Sequence, residues 1–146
     1  MEEERIILRG HKGIGGKAEG EALVAKEPIN LMADANVWEN LEPVFTNRVG
    51  ASSVYKRNFA GKVLVFPTHK GGIFSTDILM DLATVGNVPV AMINMRAHPV
   101  IVTIALLLNI PLVDRLDKNP VEVIETGDWV KVDAEKGIVE VIKKPR

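Results

Sequence analysis

Between Pro67 and Thr76 the chain reads PTHKGGIFST, which places a histidine, a lysine, two glycines and two hydroxyl side chains in one short run. Lys70 supplies a cation for a carboxylate or phosphate, and Gly71 and Gly72 let the backbone approach a ligand closely. His69 can move a proton near neutral pH. Ser75 and Thr76 read first as helix caps and second as ligands. A second run, Asn94-Met95-Arg96-Ala97-His98-Pro99, offers Arg96 for carboxylate or phosphate recognition and Asn94 for a ligand contact or a turn. His98 falls at a helix start, where the dipole disfavours its cationic form.

These groups act together only if the surrounding elements bring them to one place. Val63–Phe66 is a continuous apolar strand, and Thr76–Val85 sets Ile78, Leu79, Leu82 and Val85 on one helical face with Gly86 as the C-terminal cap. Val88–Ile93 reads as a second buried strand. A helix opening at Pro99 carries Val100, Ile101, Ile104, Ala105 and Leu108 as its stripe, and Ile110–Val113 is a third strand. Strand–helix–strand–helix–strand with apolar strands predicts parallel pairing through right-handed crossovers. Both chemical runs then lie beyond the carboxyl ends of strands, where ligands bind in parallel sheets. On the residues alone, an ordinary strand-to-helix loop with a hydroxyl cap fits the first run equally well.

The ends of the chain differ from its middle. Ile6–Leu8, Glu21–Ala25, Trp129–Val132 and Ile138–Ile142 are short strands, the last two forming a hairpin closed by Gly137. The expected fold is α/β, a central βαβαβ parallel core flanked by antiparallel strands from both termini, with residues 1–146 as one domain. Residues 30–60 show no clean period. Gly13-Ile14-Gly15-Gly16-Lys17 is read as a structural turn. A phosphate loop would need glycine at His11 and Ser or Thr at Ala18, and a strand follows where a helix would be required. Asp114, Arg115 and Asp117 read as solvated loop charges and not as a cation site.

Composition removes several classes of function. The chain has 146 residues with 47% apolar content, enough for an ordinary core, and only 5% aromatics, so that core is aliphatic. Lys and Arg number 18 against 19 Asp and Glu, with no basic footprint, so nucleic acid is not the expected partner. The absence of cysteine removes disulfides and thiolate-bound clusters from this chain. The acidic start lacks the pattern of a signal peptide, and Pro99–Leu108 is too short to span a bilayer. No membrane partner and a cytoplasmic location are expected.

The segments Gly20–Val24 with Lys26–Ile29, Ala60–Pro67, Val90–Asn94, Ile110–Asp114 and Thr126–Val130 resemble, in order, the small subunit of aconitase-X-type hydro-lyases, over about residues 15 to 142. The resemblance implies a swivelling β/β/α domain closing over a large subunit that carries an iron–sulfur cluster. No cofactor is then expected on this chain, which should be inactive alone. The implied reaction removes water from a small hydroxy-carboxylate, and the family's substrates include mevalonate 5-phosphate and a hydroxyproline. His69, Lys70, Gly71, Gly72, Thr76, Asn94 and Arg96 are the implied substrate contacts. Alignment from Pro67 puts the family's arginine at Lys70 and its proton-accepting serine at Gly72, which leaves Ser75 as the candidate for proton transfer. The Ile29–Trp38 segment also lacks the Gly-Gly-Val-Asp pattern associated with the phosphomevalonate enzyme. A lesser resemblance, Ala97-His98-Pro99 with Asn109-Ile110-Pro111, is to the phosphohistidine domain of phosphoenolpyruvate-using enzymes. It implies a carrier role for His98. A regulatory relative without catalysis is the third expectation.

Overall fold

The computed structural model describes residues 3–72 and 76–145, without the side chains of Trp38, Glu39 and Thr76. In chain order its elements are β1 (Arg5–Arg9), β2 (Lys17–Val24), α1 (Val37–Asn40), a 3-10 turn (Ser52–Val54), β3 (Val63–Phe66), α2 (Thr76–Thr84), β4 (Ala91–Asn94), α3 (Pro99–Leu108), β5 (Leu112–Val113), α4 (Pro120–Val123), β6 (Trp129–Asp133) and β7 (Ile138–Ile142). The strands form a seven-stranded sheet in the order β1-β7-β6-β2-β3-β4-β5. The run from β2 through β5 is parallel, and β1, β7, β6 and β2 pair antiparallel.

β2 belongs to both halves. Lys17–Glu21 pairs with β6, and Ala22–Val24 pairs with β3. At the changeover sits Gly20, where an added Cβ would stand 3.1 Å from the Gly61 carbonyl and 3.2 Å from the Val90 side chain. Such close approach favours a glycine.

The parallel strands are buried on both faces, so they read as unbroken apolar runs. Leu64, Phe66 and Met92 face a core built with Leu79 and Leu82 of α2, Ile101, Ile104 and Ala105 of α3, and the 29–59 segment. Val63, Val65, Ala91 and Ile93 face a second core that includes Leu8, Val130, Val132, Val139 and Val141 of the antiparallel strands. The antiparallel half therefore folds over the back of the parallel half, giving helix, sheet and sheet layers.

The expected elements are present with shifted ends. The first long helix stops at Thr84, Gly86 closes it at φ 78°, and Val85 is exposed instead of joining the apolar stripe. β4 begins at Ala91 and not at Val88, although the Val90 amide already donates to the Lys62 carbonyl. β5 is two residues long, because Pro111 has no amide to donate. The glycine-rich bend around Gly13 is a structural turn. Its Ile14 bridges to Leu112, and a Cβ at Gly13 would overlap the Leu112 carbonyl.

Asp128 fastens the C-terminal strand. Fully buried, it accepts from Lys143 Nζ at 2.6 Å and from the amides of Glu125 and Lys144. Burial alone would raise its carboxyl, but the Lys143 ammonium and the two amides outweigh it and hold it below the usual range. A depressed carboxyl stabilises the fold above its unfolded pKa, and that stability is lost as pH falls through the folded value. Asp128→Ala is expected to cost about 3 kcal/mol at pH 7, because it removes the buried carboxylate of Lys143, leaving only the more exposed Glu125 at 3.1 Å and the Val123 carbonyl, and frees the amides of Glu125 and Lys144. Urea unfolding of the two chains at pH 7 measures this, and a difference below about 1 kcal/mol would contradict it.

Candidate functional site

β3 and β4 end side by side, with Phe66 opposite Asn94. Beyond them the amides of Met95 and Arg96 donate to the Pro67 carbonyl at 3.0 and 3.3 Å. The two chemical runs therefore share one edge of the sheet. The rings of His69 and His98 lie 6.3 Å apart between centroids. Ser75 lies outside the described residues, as does the side chain of Thr76, whose backbone opens α2.

Lys70, the expected cation, is not unattached. Its Nζ is 3.6 Å from Asp34 Oδ2 and donates to the Gly50 carbonyl at 3.3 Å, while its side chain stays 42% exposed. Asp34 is buried, accepting from the Asn30 amide at 2.8 Å and from Asn47 Nδ2 at 2.7 Å. Asn30 is buried too, and its Nδ2 donates to the carbonyls of Lys70 at 2.8 Å and Gly72 at 3.1 Å. Sequence reasoning missed Asn30, Asp34 and Asn47. The available signal was three short polar side chains of a type that bonds backbone, set in an aperiodic stretch.

Two groups at this edge are buried with unmet hydrogen-bonding capacity. His69 is 2% exposed, and among the described residues neither ring nitrogen has a hydrogen-bond partner. Burial first and the neighbouring His98 second lower its pKa to about 4; the Gly71 backbone and Asp34 pull weakly the other way, the former without normal hydrogen-bond geometry. The imidazole is therefore neutral at pH 7. Asn94 is fully buried and donates through Nδ2 to the Phe66 carbonyl at 3.1 Å, while its Oδ1 has no partner among the described residues.

Other candidates have plainer surroundings. His98 is the N-cap of α3, its Nδ1 accepting from the Val100 amide at 3.1 Å. A neutral ring capping this way carries its proton on Nε2, which leaves no lone pair there for phosphoryl transfer. Arg96 is exposed, and its guanidinium makes no hydrogen bond or ion pair among the described residues. Asp114 caps the Ala97 amide at 2.8 Å and lies 3.7 Å from Arg115, and Asp117 accepts from the Arg9 amide at 3.0 Å. Both carboxylates serve the backbone, and no group of three or more metal-ligating side chains occurs among the described residues. At Gly71 φ is +73°, and a Cβ there would meet Asn30 Nδ2 at 3.1 Å. At Gly72 a Cβ would meet nothing within 4 Å.

Comparison with known proteins gives a consistent result. A family model described as the aconitase X swivel domain matches residues 7–141. The chain is 38% identical over 136 residues to the phosphomevalonate dehydratase small subunit of Methanocella arvoryzae, covering 92% of this chain and 98% of that protein. It is 34% identical to the protein of the same name from Methanosarcina acetivorans, covering 94% and 92%. A crystal structure of Thermococcus kodakaraensis aconitase X in its holo form superposes with a TM-score of 0.81 at 32% identity, covering 94% of this chain and 99% of that one.

Two outcomes follow from the histidines. Burial holds the folded His69 pKa at about 4, below its ordinary value of 6.5, so the unfolded chain takes up its proton first as pH falls. Stability is then full above about pH 6.5 and falls by up to ~3 kcal/mol as pH drops through 4. Denaturant unfolding at pH 7 and pH 4.5 is expected to show a smaller fall in His69→Leu; an equal fall would assign it to other groups. His98→Ala is expected to cost about 1 kcal/mol, and His98→Asn to keep the cap. Equal stability of the wild type and His98→Ala would refute the capping role.

Proposed function

The chain belongs to the aconitase X swivel-domain family, and from that premise we propose that it is the small subunit of a phosphomevalonate dehydratase, closing over a separate large subunit. The single observation that carries this reading is the family match over residues 7–141, joined by near full-length relatives that bear that name. Mevalonate 5-phosphate is accordingly the first substrate to test, although the Gly-Gly-Val-Asp pattern is missing between Ile29 and Trp38. A hydroxyproline-like acid is the second.

In this reading Lys70 and Arg96 hold the anionic groups of the substrate at the end of β3 and β4, helped by the amides of Gly71 and Gly72. His69 and Asn94 offer neutral hydrogen-bonding groups, and Thr76 stands at the start of the helix behind the loop. Ser75 is the proposed proton-transfer group of this chain, since Gly72 has no side chain to take that part. The sequence holds no cysteine and so has no thiolate for an iron–sulfur cluster, which the proposal assigns to the large subunit. When bound there, the cluster would serve as a Lewis acid for the leaving hydroxyl. What falls to this chain is to orient the acid and to complete the site from one side.

Co-expression with the large subunit, followed by assay for the unsaturated product from mevalonate 5-phosphate, tests the reading. Activity is expected from the complex and not from this chain alone, and a purified complex that forms no alkene would refute it. Lys70→Met should raise KM at least ~10-fold, and Ser75→Ala should lower kcat at least ~100-fold. Turnover unchanged by Ser75→Ala would move proton transfer to the large subunit.

A further inference from the structure

Asn30 lies 40 residues before Lys70, yet its side-chain NH2 is engaged by the Lys70 loop. Its Oδ1 accepts from the amides of Met32 and Ala33 at 2.9 and 3.0 Å, which fixes the side chain from its own segment. Its Nδ2 then holds two carbonyls of the loop, those of Lys70 and Gly72. In a trans peptide the N–H points opposite to the C=O that precedes it. With the Lys70 carbonyl turned inward, the Gly71 N–H is turned outward. Gly71 and Gly72 are both exposed, and neither amide has a partner among the described residues. The positive φ at Gly71 is the kind of turn by which successive amides converge on one anion.

Lys70 is fixed at the same rim. Its own amide donates to the Ile29 carbonyl at 3.0 Å, and its Nζ is held between Asp34 and the Gly50 carbonyl. An ammonium has three hydrogens, so one remains for a ligand. A Cβ at Gly50 would overlap Asn47 Nδ2 and stand 2.8 Å from Lys70 Nζ, so a larger residue there would displace one or both side chains from this seat.

We propose that Asn30 is the positioning residue of the half-site: by holding the Lys70 carbonyl inward its side-chain amide presets the outward N–H of Gly71, which, with the adjacent Gly72 N–H and Lys70, forms a receptor for one oxyanion of the substrate, a carboxylate or phosphate monoester. The inference rests on the reading of this loop as a substrate half-site. Asp34 keeps Lys70 at the rim before the anion arrives, so little side-chain ordering is left for binding.

The test uses the full chain, 15N-labelled, titrated with inorganic phosphate at constant ionic strength. The Gly71 and Gly72 amide resonances are expected to shift saturably, and Asn30→Ser to weaken that binding at least ~10-fold. Serine can still cap the 32–33 turn, but it cannot reach the two carbonyls. Asn30→Gln, which lengthens the reach by one methylene, gives the same reading should Asn30→Ser not fold. In the active complex Asn30→Ser is expected to raise KM ~10-fold with kcat within ~3-fold. No saturable shift at these amides, the same shift with chloride, or equal phosphate affinity in wild type and variants would overturn the proposal. Phosphate titration does not depend on dehydration. An inactive complex with intact, Asn30-dependent phosphate binding would therefore refute the dehydratase reading and leave this one standing.

Discussion

The fold depends on one strand serving two sheets. β2 gives its first residues to β6 and its last to β3, so it must turn out of one sheet direction and into the other within its own length. A parallel sheet exposes no face to water without cost, and each of its faces needs a cover. Here α2 and α3 cover one face, and the antiparallel half, led back by β2, covers the other. A side chain at Gly20 would press on the Gly61 carbonyl and Val90, which favours the smallest residue at the changeover.

The candidate site follows from the same geometry. Because β3 and β4 are buried neighbours with no offset between Phe66 and Asn94, the loops that leave them are forced together at one edge. Hydrophobic packing explains why the loops meet, but it does not explain their shape. Shape comes from a set of polar side chains, buried Asn30 and Asp34 with half-buried Asn47, that satisfy one another and the loop backbone. Satisfied polar networks of this kind fix one conformation where apolar contacts would allow several. Beside them, His69 and Asn94 keep unmet hydrogen-bonding capacity. Such capacity is costly within a folded chain and common where a surface is completed by something else.

Much of this was legible in sequence where the signal is local. Continuous apolar runs marked β3 and β4, Gly86 and His98 marked helix ends, and the shared edge followed from alternation of strand and helix. Boundaries slipped where a local rule met a neighbour. Val85 has the right spacing for the stripe of α2, but the helix ends one residue earlier and leaves it exposed. The start of β2 at Lys17 was missed because charges alternate there on a face that meets water. The residue types of the polar clasp were visible, but its partners were not. Apart from the local Asn30–Asp34 bond, its bonds join residues 13 to 42 positions apart, and neither periodicity nor propensity carries information at that range. For the same reason Lys70 looked like an unattached cation until Asp34 was seen beside it.

The outermost pair of strands has a different consequence. β1 and β7 run antiparallel with Arg5 opposite Ile142, and the Lys143 amide still reaches the Glu4 carbonyl. The chain thus enters and leaves the sheet at one point, at the far edge from β3 and β4. Neighbouring ends are the geometry that tolerates fusion and circular permutation. A linker of a few residues could close the chain there. The same topology would let this unit sit inside a longer polypeptide or stand as a free subunit.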